Sequence, residues 1–312
     1  MNSDKNYTYS SIYSTPNTIG YTVPEESYYS LSNPYPIPNY ITQTTDLTIT
    51  DNEKRLNKFN SIIMKHEINQ ENAIKLRQLE GFEIVIICDD SSSMNTLVSN
   101  PSIKDHQNMI TRWQELKNAV KIIIELAGTL DRTGVDVYFL NREKITDIKD
   151  YNAIELSFMT EPSGYTPIVE VFNQVLIDAQ PKLSEKKLLI ILATDGEPTT
   201  RTGHLFSYGI EEKTKFINLL KSRQPIEKIY TTILACTDDD NVMSYLSKLN
   251  NTIKNLDIVD DYYTVKQNVI KKYGSNYSFT FGDYILKIML GSIDIFFDEI
   301  DEVPSDVKCA IL

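Results

Sequence analysis

Three short stretches of this chain are rich in hard oxygen donors. Asp89-Asp90-Ser91-Ser92-Ser93 places a carboxylate and two hydroxyls at positions i, i+2 and i+4. In extended backbone those three side chains face the same way. Thr194-Asp195-Gly196 carries a second carboxylate, and Gly164-Tyr165-Thr166-Pro167 a further hydroxyl. Asp89, Ser91, Ser93, Thr166 and Asp195 together form a set with no imidazole and no thiolate. Such a set suits a hard divalent cation, Mg²⁺ first and Mn²⁺ or Ca²⁺ next. Hydroxyls are weak ligands, so the ion would stay electrophilic and keep a position open for an incoming acid.

The elements that must position these residues are legible around them. Residues 84–88 (Ile-Val-Ile-Ile-Cys) and 188–193 are continuous apolar runs, as expected of strands covered on both faces. Residues 135–140, 229–236 and 256–259 read as further strands. Apolar residues recur at helical spacing over 110–129, 167–180, 210–221, 242–249 and 282–293. Strands alternating with helices predict an α/β fold: a three-layer, doubly wound, mostly parallel sheet with helices on both faces. In such a sheet ligands bind beyond the carboxyl ends of the strands, which is where the donor-rich stretches lie. Pro167 suits a first helical position, leaving Thr166 to cap that helix or to face the ion.

Four segments are expected. Residues 1–48 form a Tyr-, Pro- and Ser-rich arm, read as disordered because it has few aliphatic anchors and prolines at alternate positions over 34–38. Residues 49–81 form a helical lead-in, with a Thr50-x-x-Glu53 capping box, an Asn69 cap and Gly81 as a stop. The α/β domain occupies 82–300, and 301–312 is an acidic tail. The 312 residues carry 31 basic and 43 acidic side chains, a formal net charge of −12, which argues against a nucleic-acid partner. Three cysteines and three histidines make neither a disulfide framework nor a His-rich zinc site. No apolar leader and no membrane-length run occur, and Asn2 stands where N-myristoylation needs glycine.

The order Asp89-x-Ser91-x-Ser93, Thr166, Asp195-Gly196, with its strand and helix rhythm, resembles the metal-ion-dependent adhesion site (MIDAS) of the von Willebrand factor A (vWA) family over about 82–293. The resemblance implies that Ser91 and Ser93 coordinate the ion directly. It implies that Asp89, Thr166 and Asp195 do so directly or through water. Ser92 departs from the glycine many members carry, and Asp90 is not a motif position; it is expected to add negative potential or to cap locally. The implied function is a non-enzymatic, Mg²⁺-dependent protein-binding adaptor in the cytoplasm, whose partner offers an Asp or Glu carboxylate. The loops 95–107 and 201–208 would supply specificity. Two alternatives stand beside it: a metal-dependent hydrolase with Asp90 or Glu197 as base, and a metal-free scaffold.

Other chemistry is weaker. Phosphate-binding glycine loops are missing, and a haloacid-dehalogenase-type phosphatase would need aspartate where Ser91 stands. His204 reads as a solvated loop residue, Cys88 and Cys236 as core residues, and Asp238-Asp239-Asp240 as helix capping. The final Cys309-Ala310-Ile311-Leu312 reads as a CaaX box directing geranylgeranylation to Cys309. One lipid without a polybasic neighbour would give only weak, peripheral membrane association.

Overall fold

The computed structural model describes residues 50–98, 109–131, 133–203, 208–237, 239–250 and 252–302. The arm, residue 309 and His204 therefore lie outside the described residues, as do residues 99–107 and 204–207 of the loops expected to supply specificity.

Six strands form one sheet: β1 (Phe82–Cys88), β2 (Val135–Phe139), β3 (Ile145–Ile148), β4 (Lys187–Thr194), β5 (Ile229–Ala235) and β6 (Leu256–Val259). Their order is β3-β2-β1-β4-β5-β6, parallel throughout except for β3, which runs antiparallel to β2. Ten α-helices are described: α1 (Asp51–Lys65), α2 (Gln70–Lys75), α3 (Arg112–Leu130), α4 (Glu155–Met159), α5 (Ile168–Ala179), α6 (Tyr208–Ser222), α7 (Asp240–Asn250), α8 (Tyr262–Tyr273), α9 (Phe281–Leu290) and α10 (Ile295–Asp298).

The alternation of side chains along β1 and β4 divides the interior into two cores. Ile84, Ile86 and Cys88 of β1, with Leu189 and Ile191 of β4, join α3, α9 and the lead-in helices on one face. Val85 and Ile87, with Leu188, Ile190 and Leu192, join α5, α6 and α7 on the other. The result is the expected three-layer, Rossmann-like sandwich. The lead-in packs into the first core through Ile62 and Ile63, while Lys65 and His66 both meet Glu125 at 3.0 Å. Gly81 ends it at φ +85°, a conformation glycine adopts at little cost.

Several boundaries differ from those read in the sequence. α5 begins at Ile168 with Pro167 as its N-cap and no side-chain capping bond, so Thr166 does not cap it. The sequence pattern does not predict β3, α4, α8 or α10. β3 is four residues long with two exposed side chains, and α8 buries only Val265 and Val269, so neither carries a strong apolar period. Cys236 follows β5 and is half-buried rather than lying inside the strand.

The chain runs outward from β1 to β2 and β3, then returns to the other side of β1 for β4. The direction of winding therefore reverses between β1 and β4, and a crevice opens at their carboxyl ends. On the far face Phe172, fully buried, meets the Phe216 ring edge-on at 5.6 Å and anchors the helix that follows Thr166. Phe172→Ala is expected to lower unfolding stability by about 3–5 kcal/mol, measured by urea denaturation. A loss below about 1 kcal/mol would show that this core closes without the ring.

Candidate functional site: a carboxylate and hydroxyl cluster at the switch crevice

Asp89 and Asp195 leave the ends of the adjacent strands β1 and β4, so their proximity follows from the parallel register Cys88↔Ala193. Asp89 is completely buried and Asp195 nearly so. Asp89 Oδ1 accepts the Ser91 amide at 2.9 Å, turning the chain sharply after the strand, and Oδ2 accepts the Thr194 hydroxyl at 2.6 Å. The Ser91 and Ser93 hydroxyls stand 3.1 Å apart, and Ser93 Oγ donates to Asp195 Oδ1 at 2.7 Å. Four of the five expected residues are thus joined in one chain of contacts. Ser91 is buried and Ser93 exposed, so the cluster runs from a closed floor at Asp89 to a solvent-facing mouth.

Thr166 stands two residues before α5. Its amide donates to Thr199 Oγ1 at 2.9 Å, and its carbonyl accepts from the Thr199 amide at 2.9 Å. Its hydroxyl lies 3.8 Å from where a side chain on Gly196 would begin. Its placing contacts are therefore with the loop after β4 rather than with the serines.

Asp90 works as a latch. Its Oδ1 accepts from the amide and side chain of Asn141, at 2.8 and 3.1 Å, and Arg142 Nε approaches Oδ2 at 3.1 Å without hydrogen-bond alignment. Asn141 in turn donates to the Tyr165 carbonyl at 2.8 Å. The Asp90 carbonyl accepts from Ser163, and Gly164 exchanges bonds with Ser92. Gly164 has φ +110°, and a Cβ there would stand 2.5 Å from Asn141 Oδ1, so glycine is required where the loop crosses. The Asp239 amide bonds Thr237 Oγ1 beside the acidic run, whose position 238 lies outside the described residues.

The sequence reading missed Arg112. This first residue of α3 donates from Nη1 to Asp195 Oδ2 at 2.9 Å, with its side chain 14% exposed. A cation in the first turn opposes the helix dipole, and that mismatch was the available signal.

Burial, then the neighbouring Asp195 charge, pushes the Asp89 carboxyl from 3.8 up to about 7, against the pull of its bonds to Ser91 and Thr194. Two acids so placed favour a compensating cation. Neighbouring ligands of an octahedral ion at 2.0–2.1 Å stand about 2.9 Å apart, which the 3.1 and 2.7 Å oxygen separations approximate. The donor set therefore fits a small hard ion. Among the described residues no three His, Cys, Asp or Glu side chains converge for a metal, so such a site depends on its hydroxyls. No helix among the described residues is long and apolar enough to cross a membrane.

No protein-family model matches the chain, and no curated protein sequence is significantly similar to it.

A carboxyl whose pKa rises on folding holds its proton more tightly in the folded chain. Stability without a divalent ion should therefore fall as pH rises from about 4 to about 7, with a limiting slope of about 1.4 kcal/mol per pH unit for one group. Burial raises Glu115 and Asp257 to about 7 as well, so the wild-type trend has several sources. Asp89→Asn isolates one of them. Thermal melts at pH 5 and pH 8 should differ less in the variant than in the wild type. Equal differences would mean that Asp89 does not titrate in this window.

Proposed function

We propose that this chain is a divalent-cation-dependent protein-binding module of the vWA type. The ion is Mg²⁺ in the first place, with Mn²⁺ or Ca²⁺ as substitutes. Asp89, Ser91, Ser93, Thr166 and Asp195 would hold it, and the bound ion would supply an electrophilic position for a partner's Asp or Glu carboxylate. The observation that carries this reading is the convergence of the Ser91, Ser93 and Asp195 oxygens, from two strand ends, beside a buried carboxyl pushed up to about 7. The order and spacing of the motifs support the same reading.

The chain's own groups divide the work. Thr194 and the Ser91 amide orient Asp89 at the floor. Ser93 stands at the mouth, where an incoming group arrives. The Asp90–Asn141 latch holds the Thr166 loop against the end of β1.

A metal-dependent hydrolase at the same place is less well supported. Asp90 is engaged by Asn141 and Arg142, and Glu197 is paired with Lys213, so both carboxylates available as a general base are committed. Phosphate-ester turnover with Mg²⁺, lost in Asp89→Ala, would reverse this preference.

Calorimetric titration with Mn²⁺ tests the proposal. One ion per chain is expected for the wild type, and none for Asp89→Ala combined with Asp195→Ala. Asp90→Ala should lose about 2–4 kcal/mol of stability, because Asn141 loses its acceptor and the partly buried Arg142 guanidinium its ion-pair partner, yet still bind one ion. Ion binding that survives the double substitution would place the ion elsewhere and remove the proposal.

A further inference from the structure

Asp195 divides its two oxygens between different partners. Oδ1 accepts from Ser93 at 2.7 Å, and Oδ2 accepts from the Arg112 guanidinium at 2.9 Å. Arg112 is held there by more than this pair. Its amide donates to the Thr96 carbonyl at 2.9 Å, Leu97 bridges Thr111, and Thr111 caps α3 in a box with Gln114. The loop that delivers Ser91 and Ser93 is therefore tied to the residue that delivers the guanidinium. That placement overrides the dipole of a 19-residue helix, whose first turn favours acids.

We infer that Arg112 is a specificity-determining residue of the cation site, weakening its hold on the ion and biasing the loaded site toward an anionic ligand. The inference rests on the cation reading above. Asp89 and Asp195 alone would neutralise a divalent ion, leaving water an adequate further ligand. The guanidinium on Asp195 adds one positive charge to those of the two carboxylates and the divalent ion. That charge lies beside the solvent-facing mouth, where a carboxylate cancels it and a neutral group does not. The guanidinium also competes with the ion for the Asp195 charge, so the site binds its ion more loosely than two free carboxylates would.

The test uses two probes on the full chain: Mn²⁺ alone, followed by electron paramagnetic resonance of the free ion, and glutarate added to the Mn²⁺-loaded protein, followed by water-proton relaxation. Arg112→Met and Arg112→Gln remove the charge, and Gln keeps a donor toward Asp195 should Met fold poorly. Both neutral variants are expected to bind Mn²⁺ about tenfold more tightly and glutarate about tenfold more weakly, the scale of a full charge removed at short range in a partly buried site. Arg112→Lys should restore both toward wild type. A salt bridge that served only to order Asp195 would give the opposite sign for Mn²⁺, because its loss would loosen a ligand. Equal or weaker Mn²⁺ binding in the neutral variants overturns the role of Arg112 alone. Tighter Mn²⁺ with unchanged glutarate overturns the anion bias. Absence of Mn²⁺ uptake by every form, wild type included, overturns the cation reading and this role with it.

Discussion

Two carboxylates from neighbouring parallel strands are forced together out of water, and most of what surrounds them answers that constraint. Burial, and then the neighbouring Asp195 charge, raises the proton affinity of the Asp89 carboxyl. Hydroxyls and an amide offset part of the cost: Thr194 and Ser91 serve Asp89, and Ser93 serves Asp195. One guanidinium offsets another part. On the reading proposed above, a small divalent ion would supply further compensation.

The fold holds the constraint in place. Strands β1 and β4 are the only neighbours in the described sheet between which the winding reverses, so no crossover covers the crevice above their ends. Their residues are almost wholly buried on both faces, so the register that sets Asp89 beside Asp195 is fixed by packing on two cores at once. Asp90, pointing away from the cluster, carries the complementary task of tying the ends of β1 and β2 to the loop that brings Thr166. Adjacent aspartates thus take opposite roles because successive residues leaving a strand face opposite sides.

Much of this was legible in the sequence, for identifiable reasons. The runs 84–88 and 188–193 are apolar at every position, which only a strand covered on both faces requires, so the central strands and the loops after them could be placed. The grouping of Asp89, Ser91, Ser93 and Asp195 followed from that placement. Thr166 was grouped with these residues, but its bonds are to Thr199, and α5 does not use the capping option because Pro167 occupies the N-cap rather than the first helical turn. β3 escaped notice because an edge strand of four residues with exposed side chains has no period to read. α8 escaped because its buried face is two valines among tyrosines and lysines. Arg112 shows in the sequence only as a cation in the first turn of a helix. Its partner lies 83 residues away, and only the sheet order brings the two together.

The most direct measurement is anomalous diffraction at the manganese edge from crystals grown with Mn²⁺. A single strong peak is expected within bonding distance of Ser91 Oγ and Ser93 Oγ, with Asp195 Oδ1 on the same side and Arg112 still against Oδ2. Ordered chain in this crevice with no peak there, or a peak held by other residues, would contradict the assignment of these oxygens to a cation.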